Sequence, residues 1–291
     1  MRFVKGHGTE NDFVILPDPD GVLDLTPDAV ARLCDRRAGI GADGVLRVVR
    51  TKVAGPDVEL SGDAEWFMDY RNSDGSVAEM CGNGLRVFAR YLVDSGLAAP
   101  GEWDVATRAG LRRVTLGPSG DVSAEMGPAR CLGPGEASLD GTVFQGERVS
   151  VGNPHLACRV DGPVAALDLS RAPGFDPAVF PDGVNVEFFR VVGDRHVEMR
   201  VYERGSGETR SCGTGTVAVA AAAAASVASA GAFAAFAGSA ADRGTIGPPE
   251  SSDWTVDVPG GRVNVAFEGQ AARLTGPAVL VAEGETRPGW I

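Results

Sequence analysis

Histidine is scarce in this 291-residue chain, with three copies. The five cysteines, Cys34, Cys81, Cys131, Cys158 and Cys212, are far apart and include no Cys-x-x-Cys pair. That spacing excludes the usual zinc ligand sets, and an odd count excludes a closed disulfide framework. Positive charge is short as well: 27 Lys and Arg against 39 Asp and Glu give a formal net charge of -12. A chain of that charge is a poor partner for a phosphate backbone, so no nucleic acid is expected. Blocks of like charge are missing, which excludes a charged disordered tail. The opening MRFVKGHGTENDF has no apolar core of a signal peptide. Reduced thiols and a cytoplasmic location are the expectation.

The one long uncharged run, residues 211–241, lacks Leu and Ile and is built from Ala with Gly and Ser. It is long enough to cross a bilayer, but its hydrophobicity is weak. Ala is the strongest helix former, and a helix apolar all round is usually buried in protein. We expect a buried helix in a narrow space, such as the inside of a curled sheet, and no membrane partner.

What the chain does have is strand pattern. Runs 13–16, 45–50, 112–116, 184–192, 254–258 and 262–267 read as strands, and in 196–202 Val197, Met199 and Val201 alternate with polar residues. Helices are few. Thr26, Pro27 and Asp28 lead into Val30, Leu33 and Cys34, predicting a helix with N-cap and N1 proline that ends at Gly39. A second is predicted from Gly82 to Ser95, stopped by Gly96, and the Ala-rich run makes a third. With 40 Gly and 18 Pro marking turns, the pattern is α+β with largely antiparallel sheets, in a chain long enough for two domains.

One motif occurs twice. Met80-Cys81-Gly82-Asn83-Gly84 opens one helix and Ser211-Cys212-Gly213-Thr214-Gly215 another, each after a strand and a polar Gly-containing loop, 69–79 and 202–210. The matched context favours two similar halves. The first amides of a helix lack intrahelical partners and its dipole end is positive, so a carboxylate is well held there and a neighbouring thiol is made more acidic. Two such motifs on one substrate carboxylate would set a thiolate and a thiol on opposite faces of its α-carbon. One sulfur removes the proton while the other delivers one, which inverts the stereocentre without pyridoxal phosphate. Neither a cofactor nor a metal is required. Cys34 on its helix's apolar face, and Cys131 and Cys158 away from any helix start, read as small core hydrophobes. A phosphate loop or dinucleotide turn is disfavoured, because no GxGxxG follows a strand and no Gly-Lys-Ser/Thr ending is present.

At these residues the sequence closely resembles the diaminopimelate epimerase family, in the wider group that holds proline racemase and the phenazine-biosynthesis isomerases. The matching stretches are Asp69-Tyr70-Arg71-Asn72-Ser73-Asp74-Gly75-Ser76 running into Cys81, and Tyr202-Glu203-Arg204-Gly205-Ser206-Gly207-Glu208-Thr209 running into Cys212. His7-Gly8-Thr9-Glu10-Asn11-Asp12-Phe13, Gly41-Ala42-Asp43-Gly44, Gly152-Asn153-Pro154-His155 and Val184-Asn185-Val186 complete the set.

The resemblance implies two similar domains, 1–125 plus 277–291 and 126–276, each a sheet curled around a central helix. It places the active site in the cleft between them and returns the last strand, near 278–281, to the first domain. It makes Cys81 and Cys212 the acid–base pair, with His155 tuning Cys81 and Glu203 tuning Cys212. The α-carboxylate would rest on the amides of Gly82, Asn83, Gly213 and Thr214. Asn11, Asn72, Asn153, Asn185, Glu203 and Arg204 would bind the rest of a small-molecule substrate, LL-diaminopimelate, with an Arg fork suited to its second carboxylate. For any one of these Asn residues, capping a turn is the open alternative, and for His155 a structural role. A homodimer is implied too.

Glu10 stands where the family commonly has Gly, Gly44 replaces a Gln found in some members, and residues 242–252 form a longer connection. A proline-type racemase and a non-catalytic thiol redox or amino-acid-binding protein are the rival readings. The Asn-rich set and Arg204 speak against the first, the lack of Cys-x-x-Cys against the second.

Overall fold

The computed structural model describes residues 1–55, 63–235 and 251–290; most of the 242–252 connection lies outside them. The chain is α+β and divides into two compact units, Met1–Glu125 with Gly276–Ile291, and Met126–Thr275.

In the first unit, strand Arg2–Gly8 pairs antiparallel with both Asn11–Pro17 and Val279–Glu285. Asn11–Pro17 runs parallel to Gly44–Arg50, which forms an antiparallel pair with Trp66–Asn72. A parallel bridge, Phe67 to Ala106, leads to the antiparallel pair Glu102–Thr107 and Gly110–Leu116. Helix α1 (Pro27–Cys34) packs outside, and helix α2 (Gly82–Asp94) touches strands from Val279–Glu285 round to Gly110–Leu116. The sheet therefore curls around α2. Leu85, Phe88 and Leu92 of its apolar stripe meet Phe13, Ile15, Leu46, Met68 and Val114. Burying five or six such side chains contributes on the order of 10 kcal/mol before chain entropy is charged against it.

The second unit repeats this pairing order. Thr142–Ser150 with Pro154–Arg159 is antiparallel, Pro154–Arg159 with Asn185–Gly193 parallel, and Asn185–Gly193 with His196–Glu203 antiparallel. His196–Glu203 is then parallel to Ser251–Val258, which pairs antiparallel with Gly261–Glu268. Helix α3 (Gly213–Ala235) lies against these strands, and Val217 to Ala225 of it are buried. Alanine is what lets a helix sit so close to a sheet on all sides. Among the described residues no helix is long and apolar enough to cross a membrane.

Two boundaries differ from the sequence reading. α1 begins as predicted, with Thr26 Oγ1 accepting from the Ala29 amide, but ends at Cys34. The Asp35 carboxylate takes the amides of Arg37 and Ala38, an Asx turn that replaces helical bonds before Gly39 is reached. The expected loops 69–79 and 202–210 are partly strand: pairing extends to Asn72 and to Glu203, and Gly207–Thr209 folds back on His196–Glu203. Buried Asp69 and the charged residues beside it hide the alternation there.

The turn joining the first two strands is strained. Thr9 and Glu10 both take left-handed conformations, φ 51° and 61°, in the two-residue loop between paired Gly8 and Asn11. That turn type calls for Gly or Asn, and an ordinary residue there costs about 1 kcal/mol. Glu10→Gly is expected to stabilise the protein by about 1 kcal/mol, read as a higher urea midpoint; an unchanged or lower midpoint would show the strain is not there.

Candidate active site

Each Cys-Gly-x-Gly motif caps a helix with sulfur. Cys81 is the N-cap of α2 in extended conformation, φ -139° and ψ 119°, and its Sγ accepts the Gly84 amide at 3.4 Å. Cys212 stands in the same relation to α3: its Sγ accepts the Gly215 amide at 3.4 Å and its carbonyl takes the Thr216 amide at 2.9 Å. N-caps are normally Ser, Thr, Asp or Asn. A sulfur there gains an amide donor that favours its thiolate, and the first amides of the helix beside it are of the kind suited to a carboxylate.

Cys81 is half-buried, and Asn11 Oδ1 lies 3.8 Å from its Sγ. That oxygen is fixed from two sides. Asn11 Nδ2 donates to Asp43 Oδ2 at 2.7 Å, and Asn83 Nδ2 donates to Asn11 Oδ1 at 3.2 Å. Asp43 is held in turn by Arg36, which also pairs with Asp12. Asn72 stands apart from this group, its Nδ2 donating to Ser76 Oγ at 3.0 Å across a turn. Residue 44 has no room for a side chain in this register, since a Cβ there would lie 2.5 Å from the Arg71 carbonyl. Asp43 supplies the polar contact next to it.

Around Cys212 the polar groups form one chain. His155, fully buried, meets Glu187 Oε1 through Nδ1 at 2.7 Å and Asn153 Oδ1 through Nε2 at 3.0 Å. Asn153 Nδ2 donates to Thr214 Oγ1 at 3.4 Å, and that hydroxyl lies 3.6 Å from Cys212 Sγ. Glu187 Oε1 approaches so closely that a Cβ on residue 215 would sit 2.7 Å from it, so only glycine fits. Glu203 accepts a short hydrogen bond from Thr209 Oγ1. Asn185 Oδ1 accepts the Arg204 amide at 2.9 Å while its Nδ2 donates to the Pro154 carbonyl at 3.3 Å, and Arg204 reaches the Asp182 carbonyl from an exposed position.

The helix end does not make Cys212 acidic on its own. Burial pushes its thiol well above the ordinary value, and the nearby Glu203 and Glu187 push the same way; the Thr214 hydroxyl and Gly215 amide only offset part of this. Cys212 therefore rests as a thiol. Burial likewise raises Cys34, Cys131 and Cys158 to about 12, which keeps them inert. Among the described residues no cluster of three or more His, Cys, Asp and Glu could hold a metal ion.

Sequence reasoning brought out neither Glu187 nor Arg86. Glu187 is a lone carboxylate inside the apolar run 184–189, and a charge in a strand buried on both faces is the signal that marks it. Arg86 follows the first motif by two residues and sits on the buried side of α2.

A sequence model of the diaminopimelate epimerase family matches residues 3–132 and 148–281. Diaminopimelate epimerase of Thermobifida fusca is 58% identical over 293 residues, covering 99% of this chain and 98% of that protein. The enzyme of the same name from Streptomyces coelicolor is 50% identical, covering 100% and 97%. A hydroxyproline epimerase structure from Agrobacterium vitis shares the fold at a TM-score of 0.60 and 15% identity, over 98% of this chain and 91% of that one. A phenazine biosynthesis protein of Bacillus anthracis does so at 0.57 and 17%, over 99% of each. With its full length matched and both Cys-Gly-x-Gly helix starts in place, the chain belongs to the diaminopimelate epimerase family.

Proposed function

We propose that this chain inverts one α-carbon of LL-2,6-diaminopimelate to give the meso form, serving lysine and peptidoglycan synthesis, by proton transfer between Cys81 and Cys212 without pyridoxal phosphate. The observation that carries the reading is the sulfur-capped helix start, present once in each unit with the same 3.4 Å amide contact. One thiolate takes the α-proton as the other thiol protonates the opposite face, so the reaction needs the two sulfurs on either side of one carbon. Charge that builds on the carboxylate as the proton leaves is met by the amides of Gly82, Asn83, Gly213 and Thr214. The raised Cys212 thiol is suited to be a donor. His155 tunes Cys81 and Glu203 tunes Cys212; Asn11, Asn72, Asn153, Asn185, Glu203 and Arg204 are the groups for the rest of the substrate, and the His155–Asn153 contact also orders the Thr214 hydroxyl beside Cys212. The domains are 1–125 plus 277–291 and 126–276, a division supported by the two compact units except at Gly276, which groups with the first. A homodimer in the cytoplasm is part of the same reading.

The test is incubation of reduced protein with LL-diaminopimelate in deuterated water without pyridoxal phosphate. The expected product is meso-diaminopimelate carrying deuterium at the inverted carbon. Exchange with proline and none with diaminopimelate would move the chain to a proline-type racemase; no exchange with either would leave a binding or redox protein.

A further inference from the structure

Arg86 is the bulkiest of the fully buried side chains, with no exposed surface, and it lies one turn into α2 from Cys81. All its hydrogen-bond partners are neutral. Nη1 donates to the Pro277 carbonyl at 2.9 Å, and Nη2 donates to Thr9 Oγ1 at 3.1 Å and to Asn83 Oδ1 at 2.6 Å. Its Nε, also buried, has no partner. A buried guanidinium without a carboxylate costs several kcal/mol, and the positive end of a helix makes the placement worse. A core packing role would be filled more cheaply by Leu or Met. Burial lowers the group only to about 10, so it stays charged at neutral pH, and Cys81 is the first of the anionic groups that act back on it.

We propose that Arg86 is a positioning residue whose charge, delivered next to Cys81 and through Asn83, stabilises the Cys81 thiolate and the carboxylate charge that develops as the α-proton leaves. The geometry is specific. Because Asn83 Oδ1 is taken by Arg86, its Nδ2 must point to Asn11 Oδ1. Asn11 then turns a carbonyl acceptor toward Cys81, which suits the thiol, while the Gly84 amide and the buried cation suit the thiolate. Opposed preferences of this kind keep both protonation states within reach, as a residue that alternates between acid and base requires. The charged groups facing this cluster are Asp121, acting on Arg86, and Asp43 behind Asn11, itself paired with Arg36; Asp12 is neutralised by Lys5 and Arg36.

The inference rests on the two-thiol reading, but its test is separable from it. Cys81 alkylation by iodoacetamide, resolved by peptide mass spectrometry across pH, reports the thiolate without any substrate. In Arg86→Gln the Cys81 midpoint is expected to rise by about one to two pH units, the size of effect an adjacent opposite charge has. kcat should fall about 100-fold, as on loss of one preorganised charge contact. Arg86→Lys, which keeps the charge, should hold the midpoint near wild type while losing part of kcat. A folded Arg86→Gln with an unchanged midpoint overturns the proposal. If that variant does not fold, an upward shift in Arg86→Lys overturns it instead. Wild-type protein that fails to epimerise diaminopimelate would sink the functional reading alone, leaving the midpoint comparison to decide the role of Arg86.

Discussion

Cys81→Ala and Cys212→Ala are each expected to lower the rate of inversion by about 10,000-fold or more, while Cys34→Ala, Cys131→Ala and Cys158→Ala leave it nearly unchanged. A positioned acid or base contributes about 100- to 10,000-fold, and inversion needs both in one event, so water would have to replace the missing sulfur on its own face. The three silent thiols are raised to about 12 by burial, far from any protonation change at neutral pH. A sharper outcome separates two bases from one. With Cys212 gone, the α-proton of the isomer that faces Cys81 can still be lost and regained on the same side. Each single variant should therefore exchange deuterium into only one of the two isomers without inverting it, and the two variants should choose opposite isomers. Proton NMR of LL- and meso-diaminopimelate in deuterated water reads this directly. Retained inversion in either variant would remove that cysteine from the mechanism.

The repeated motif carried most of the site because its chemistry is local: a cysteine, two glycines and a helix start fix where the amides and the sulfur lie. The strands were visible for a similar reason, since Val197, Met199 and Val201 alternate over one face. What was hidden depends on partners distant in sequence. Glu187 gains its role from His155 across a parallel strand pair, and no spacing within 184–192 announces that partner. Arg86 meets Thr9 and Pro277, at opposite ends of the chain. The helix end alone does not set the acidity of Cys212, because burial and two carboxylates outweigh one amide and one hydroxyl. The contact of Asn72 Nδ2 with Ser76 Oγ across the turn is likewise not announced by the family-specific stretch around it.

Asp69, the first residue of the stretch that leads to Cys81, lies in an ionic cluster and not beside the thiol. Its carboxylate accepts Arg71 Nε and Arg108 Nη2, each at 2.8 Å, and lies 3.5 Å from Arg47 Nη1 across the strand pair, while Arg47 also holds buried Asp18. Asp69→Asn keeps the shape and removes the charge, leaving three guanidiniums around a neutral amide. The expected loss is about 3 kcal/mol, the low end of what breaking a buried pair costs. The low end applies because those arginine side chains keep 11% to 21% of their surface in water. In Asp69, burial works to raise the carboxyl, but Arg71 and Arg108 overcome it and hold it below the ordinary value. Its stabilising contribution is therefore fully present above about pH 4, the unfolded value. It disappears as pH falls through the lower folded value. Asp12, held near 2 by Arg36 and Lys5 against its own burial, loses its contribution in the same acid window. Urea midpoints of wild type and Asp69→Asn should thus differ fully from pH 5 to 7 and converge below about pH 4, as the wild-type carboxyl becomes as neutral as the amide. A gap of the same size at pH 3 and pH 7 would mean that the shape of residue 69, and not its charge, holds this part of the sheet together.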